Sequence, residues 1–264
     1  MECFNGIKIE DFAVLYGFSL FETFFVDEYG RVFLLEKHID RLFNSMAHFG
    51  FETGFTKDNL MSMVMDYIKK YDLKNVILRL TVTYGNKNKG IEPAVFFSTR
   101  ENTYKKAIYE KGFKLMVSGL VKNAGSPVIA HKTGNYLENY MEGQRALKNG
   151  FDDVIFLNTK SEITETSKSN IFFVRDGKLY TPHVSSGLLP GIIRQWVLKK
   201  SKEIGVICEE GRYSLELLLS AEEVFVTNSV IGIVPVNSIE NKGIGSEIPG
   251  KLTGLLMREL ENVM

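Results

Sequence analysis

Between residues 36 and 49, Ile39, Leu42, Phe43, Met46 and Phe49 recur at three- and four-residue spacing, which predicts an amphipathic helix ended by Gly50. Arg41 lies off the central line of that apolar stripe. A second helix is predicted over residues 57–71, with Leu60, Val64, Tyr67 and Ile68 on one face. Before these helices, the aromatic run 20–26, the turn-forming Asp27-Glu28-Tyr29-Gly30 and the apolar run 31–35 predict a β-hairpin. Residues 4–9 alternate weakly and are read as an opening strand. After the helices, NVILRLTVTYG and AVFFSTR read as strands joined by the polar loop 86–92, and 113–117 reads as another. Residues 1–117 therefore predict a smaller α+β domain. The Gly-, Ser- and Pro-containing stretch 118–127 is the expected linker.

Residues 128–264 predict a larger, β-rich α/β domain. A helix is expected over 135–148 with Gly150 beyond its end, and strands over 153–157 and 171–174. Arg175-Asp176-Gly177-Lys178 has hairpin-turn chemistry, since Asp-Gly tolerates positive φ. GLLPG leads into a helix over 192–204, and Ser214 is placed to cap a short helix through Leu219. Strands at 223–227 and 231–236 flank Asn228-Ser229, and the loop 241–250 precedes a final amphipathic helix. No internal repeat is present.

Composition narrows the class. The 264 residues are 44% hydrophobic and 24% charged, an ordinary globular balance. The formal net charge is +0, so the chain lacks the basic field by which proteins hold nucleic acid or anionic membranes. No apolar run reaches the roughly 18 residues of a membrane span. Cys3 and Cys208, far apart, point to a reducing compartment, and the N-terminus has no signal-peptide pattern. A cytoplasmic protein is expected. His38, His48, His131 and His183 fall into no metal-ligand spacing.

Four groups of residues could carry chemistry. Lys132 follows an apolar run and precedes a helix. A lysine with a lowered pKa can bond the aldehyde of pyridoxal 5'-phosphate (PLP) and then shuttle protons. Glu165 lies in a polar turn ahead of an apolar strand. A carboxylate there could keep a pyridine nitrogen protonated, and Asn170 could fix the turn. GLLPGIIR sets main-chain N–H groups of Ile192 and Ile193 at a helix start, where the dipole attracts phosphate. Thr227, Asn228 and Ser229 add hydroxyls, an amide and N–H groups, and Arg41 a charge-assisted contact. Taken singly, each also reads as a surface lysine, a solvated turn, a helix start or a solvated arginine.

The segments EKHIDRL, HKTGNYLEN, ITETSKSNIFFV, GLLPGIIR and EVFVTNSVIGIVPV, in that order over nearly the whole chain, resemble the class IV (fold type IV, D-amino-acid aminotransferase-like) PLP enzymes. The resemblance implies two α/β domains with PLP between them and a homodimer whose partner chain helps close the active site. It implies that Lys132 is the Schiff-base lysine and Glu165 the partner of the pyridine nitrogen. Arg41, the N–H groups of Ile192 and Ile193, and Asn228 with Ser229 would take the phosphate, with Tyr136 near the cofactor's phenolic oxygen. Within the family, LYGFSLFETF, KTGNYLEN, GLLPGIIR and VTNSVIGIVPV are most similar to aminodeoxychorismate lyases, which yield 4-aminobenzoate and pyruvate for folate synthesis. Aminotransferases of D-amino acids or branched-chain L-amino acids are the alternative, and a non-catalytic member is a third reading. Two departures concern the substrate. Gly17-Phe18-Ser19 stands where many relatives have Gly-Asp-Gly, and Lys89 stands where an arginine often grips a carboxylate. Thr23 and Tyr16 join Lys89 as expected substrate contacts.

Overall fold

The computed structural model describes residues 6–264. Its elements, in chain order, are α1 (Phe12–Tyr16), β1 (Ser19–Val26), α2 (Leu35–His48), α3 (Lys57–Lys70), β2 (Val76–Thr83), β3 (Val95–Glu101), α4 (Ala107–Lys111) and β4 (Phe113–Lys122). They continue with α5 (Leu137–Lys148), β5 (Asp153–Asn158), β6 (Ile163–Thr166), β7 (Asn170–Arg175), β8 (Lys178–Pro182) and α6 (Ile192–Glu203). The last are β9 (Cys208–Gly211), α7 (Leu215–Leu219), β10 (Glu223–Asn228), β11 (Gly232–Ile239), β12 (Lys242–Gly243) and α8 (Lys251–Glu261). The chain forms two compact units. The first runs to Thr103 and takes in His131–Tyr136; the second holds Tyr104–Ala130 and Leu137–Met264.

In the first unit β1, β2 and β3 form an antiparallel sheet. Strand alternation sends Leu20, Phe24, Leu78, Leu80, Val82, Val95 and Phe97 to one face, where they pack with Ile39, Leu42, Met46, Leu60, Val64 and Ile68 of α2 and α3. Burying each such side chain contributes about 1.5–3 kcal/mol. Thr56 and Asn59 close a reciprocal cap on the start of α3. The segment 131–136 docks on β1: Phe21 N–H donates to the Lys132 carbonyl at 2.9 Å, and Gly134 N–H to the Ser19 carbonyl at 2.8 Å. A Cβ on Gly134 would lie 2.3 Å from Ser19 Oγ, so only glycine allows this approach.

In the second unit β10, β11, β4, β5, β6 and β7 form a ring, closed by pairing of β10 with β7. β8 and β9 extend it from β7, and β12 pairs with β11. The ring encloses Leu115, Ile155, Ile163, Ile171, Phe173, Val226, Val234 and Val236. Helix α5 packs on β4 and β5, and α6 on β10. Among the described residues, no helix is long and apolar enough to cross a membrane.

Three expectations need correction. The hairpin over 20–35 shrinks to one bridge, Val26 to Val32, because β1 pairs along its length with β2. Asp27 instead closes a tight turn by accepting from the N–H groups of Tyr29 and Arg31. The expected linker 118–127 is strand as far as Lys122. Its small and polar residues mark an irregularity between Val117 and Val121, where β4 slips against β5 and then resumes pairing. Of the strand expected at 4–9, residues 4 and 5 lie outside the described residues, and the rest is not strand.

Candidate active site

The first unit carries Lys132 on the face of the sheet opposite α2 and α3. Alternation places Phe21 and Thr23 of β1 and Arg79 and Thr81 of β2 there, with Arg79 directly across from Thr23. Lys132 Nζ lies 4.5 Å from the centre of the Phe21 ring and 5.8 Å from that of Tyr136. The two rings meet edge to face at 5.8 Å. The Arg79 guanidinium lies over the same Phe21 ring at 3.6 Å and donates from Nε to Thr81 Oγ1 at 3.2 Å. It is half-buried, and burial pulls its pKa below the ordinary arginine value. Among the described residues no carboxylate pairs with it.

On the sheet's apolar face stands a charged network. Glu22, between Leu20 and Phe24 in the alternation, is fully buried. Its Oε1 accepts from Arg41 Nε at 2.8 Å, and its Oε2 from Arg41 Nη2 and His38 Nδ1, both at 2.7 Å. Burial pushes the Glu22 carboxyl up. The Arg41 charge and the His38 hydrogen bond outweigh this and hold it at about 2. Burial lowers the pKa of His38, and because the ionised carboxylate only accepts, the proton of this contact is on Nδ1. Beside Lys132, the His131 ring stacks on His48 at 4.4 Å, and its Nδ1 lies 2.9 Å from Ser45 Oγ.

The second unit carries the other expected cofactor residues. Glu165 on β6 accepts from Leu189 N–H at 3.1 Å and from Asn170 Nδ2 at 3.3 Å. Asn170 Nδ2 also donates to the Leu189 carbonyl at 2.8 Å, tying Glu165 to the GLLPG turn. A Cβ on Gly191 would meet Asn170 Oδ1 at 2.1 Å, so that glycine lets the turn close on Asn170. Helix α6 then begins at Ile192 with no side-chain cap, leaving its first N–H groups for another acceptor. Thr227, across from Asn170 in the sheet, has a buried hydroxyl with no partner among the described residues. Asn228 lies at the end of β10. Its Nδ2 donates to Ser169 Oγ and its Oδ1 accepts from the N–H groups of Val230 and Ile231, so its side chain builds the β10–β11 turn.

The sequence profile named Amino-transferase class IV matches residues 19–239. The chain belongs to the class IV aminotransferase family. It is 30% identical over 263 residues to the aminodeoxychorismate lyase of Bacillus subtilis strain 168, covering 96% of this chain and 89% of that protein. It is 31% identical over 260 residues to the branched-chain-amino-acid aminotransferase of Escherichia coli K12, covering 94% and 84%. The crystal structure of an Escherichia coli branched-chain amino acid aminotransferase superposes with a TM-score of 0.91 at 28% identity, covering 98% of this chain and 90% of that one. This member of the class IV aminotransferase family therefore has the fold type IV architecture and is an enzyme that works with PLP.

The residues present suit that cofactor: a helix start with no side-chain cap and a buried hydroxyl with no partner among the described residues can meet a phosphate, and a carboxylate held by an N–H and an amide can meet a pyridine nitrogen. Of the expected substrate residues, Thr23 stands opposite Arg79. Tyr16 packs edge-on against Phe12 and is otherwise exposed, and Lys89 is exposed on the one-turn helix Lys87–Lys89. The sequence reading missed Glu22, His38 and Arg79. A signal existed for two of them, since Glu22 and Arg79 are lone charges inside the apolar runs LFETFFV and VILRLTV.

Proposed function

We propose that this class IV aminotransferase homologue is a PLP-dependent 4-amino-4-deoxychorismate lyase releasing 4-aminobenzoate and pyruvate. The carrying observation is Arg79, a half-buried guanidinium on the same aromatic ring as Lys132 Nζ. A substrate whose amine reacts at Lys132 would have its carboxylate within reach of Arg79. Aminodeoxychorismate carries two carboxylates. Thr23, Thr81 and Ser98 flank Arg79 on this sheet face, a polar lining that suits such a substrate better than a branched aliphatic side chain.

Lys132 would hold the cofactor covalently, and Glu165, fixed by Leu189 N–H and Asn170, would keep the pyridine nitrogen protonated. Arg41, the N–H groups of Ile192 and Ile193, the Thr227 hydroxyl, and Asn228 with Ser229 would take the phosphate. Tyr136 would stand beside the phenolic oxygen. PLP, when bound, draws off the electron pair left as a bond at the amine-bearing carbon breaks. Lys132 Nζ, set free when the substrate amine takes its place, would accept the proton from that ring carbon; the enolpyruvyl group would leave from the neighbouring carbon with the C–O electron pair and take up a proton to become pyruvate. The ring becomes aromatic, which drives the step. Arg79 holds the ring in place through a carboxylate, and Phe21 and Tyr136 wall it from water.

A homodimer accompanies this reading. Leu120 and Val121 of β4 and Leu137, Tyr140 and Met141 of α5 are large apolar side chains left exposed on the second unit, suited to cover by a second copy.

The test is purified protein given aminodeoxychorismate with no keto acid. The expected result is equal amounts of pyruvate and 4-aminobenzoate over many turnovers. Turnover that requires a keto-acid acceptor would make the chain an aminotransferase.

A further inference from the structure

We propose that Glu22 and His38 are positioning residues that fix the plane in which the Arg41 guanidinium meets the cofactor's phosphate. The proposal rests on the reading of Arg41 as a phosphate contact. Glu22 occupies an apolar position of β1, with Leu20 and Phe24 of the core two residues away on either side. A carboxylate there is costly unless fully paired. It is: Nε and Nη2 of Arg41 meet its two oxygens at 2.8 and 2.7 Å in a parallel fork, and His38 Nδ1 takes a further lone pair at 2.7 Å. His38 and Arg41 lie three residues apart on α2 and so share the helix face that reaches Glu22. The His38 ring is itself held edge-on by Phe24 at 4.9 Å.

An arginine side chain has many rotamers, and ordering it on each binding event weakens binding. The fork on Glu22 removes that freedom in advance and fixes the plane of the guanidinium. A network whose purpose was only to dock α2 on β1 would be replaced without loss by apolar side chains, since buried ion pairs add little net stability. Its presence is explained by the guanidinium it holds.

Cofactor-stripped full-length protein is titrated with PLP and, separately, with pyridoxal, which lacks the phosphate. Arg41→Lys is expected to weaken PLP binding while leaving pyridoxal binding within about twofold, because Lys cannot keep both the fork and the outward contact. Glu22→Gln is expected to weaken PLP about tenfold with the same selectivity. Combining it with Arg41→Lys should add nothing further, as coupled residues do. His38→Asn, whose amide nitrogen can replace the Nδ1 donor, should bind PLP like the wild type, whereas His38→Leu should lose affinity selectively. If Glu22→Gln fails to fold, the two His38 variants decide.

If Arg41→Lys shows no selectivity for PLP, the phosphate role of Arg41 falls and the proposal with it. If Arg41→Lys is selective but Glu22→Gln or His38→Leu weakens both ligands alike, or neither, Arg41 keeps its role and positioning by Glu22 and His38 is wrong.

Discussion

Arg79→Met removes the charge beside Lys132 while keeping an apolar stem against Phe21. The guanidinium lies 3.6 Å over that ring and is held in plane by Thr81, so it meets an incoming carboxylate with its fork already oriented. Charge-assisted hydrogen bonds of this kind contribute about 1.5–3 kcal/mol. Losing them should lower kcat/KM for aminodeoxychorismate by about 10- to 150-fold. Arg79→Lys should recover little, because an ammonium lacks the planar fork. The cofactor's visible absorbance should be unchanged in both variants, since Arg79 does not hold the cofactor. The melting temperature should hold or rise in Arg79→Met, because a half-buried charge with no carboxylate partner among the described residues is removed. Steady-state kinetics on both variants is the assay. A kcat/KM for Arg79→Met within about threefold of the wild type would refute the assignment of Arg79 to the substrate.

Gly191→Ala puts a Cβ 2.1 Å from Asn170 Oδ1, so Asn170 must move and loosen Glu165. PLP affinity should fall and stability should drop by about 1–3 kcal/mol, read by cofactor titration and urea unfolding. Asp153 is fully buried, with Oδ1 accepting from Val154 and Ser167 and Oδ2 without a partner among the described residues; burial pushes its pKa up. Asp153→Asn should therefore be neutral or stabilising at pH 8, with an advantage that vanishes as pH falls and Asp153 protonates; unfolding at two pH values checks it. Burial lowers the pKa of His38 and His131, so the fold favours their neutral forms. Stability from these groups is present above the unfolded value and lost as pH falls, so the melting temperature should decline below about pH 6.5. His38→Asn should soften that decline, as differential scanning calorimetry can show.

Much of the fold was legible because its signals are local. The apolar stripes of α2 and α3 and the Asp-Gly turn between β7 and β8 declare themselves within a few residues. What failed was nonlocal. Nothing near β1 announces β2, about 50 residues on, as its partner, so the adjacent run 31–35 reads as the nearer one. Gly119 reads as a linker glycine unless one knows that β4 slips against β5 at that point. At the site, the order of segments around Lys132 was readable, and the faces were not. Asn228 is legible as a polar residue between two strands; that its side chain meets Ser169 and the turn is visible only in three dimensions. Glu22 and Arg79 were legible as oddities, charges in apolar runs; which neighbours answer them depends on the sheet face each occupies.

The most direct measurement is to treat the PLP-loaded protein with borohydride, which fixes the cofactor to the lysine it is bonded to, and to map the labelled peptide by mass spectrometry. The account predicts one pyridoxyl group per chain, on Lys132, and none in Lys132→Ala. A label on another lysine, or an unchanged label and full turnover in Lys132→Ala, would contradict it.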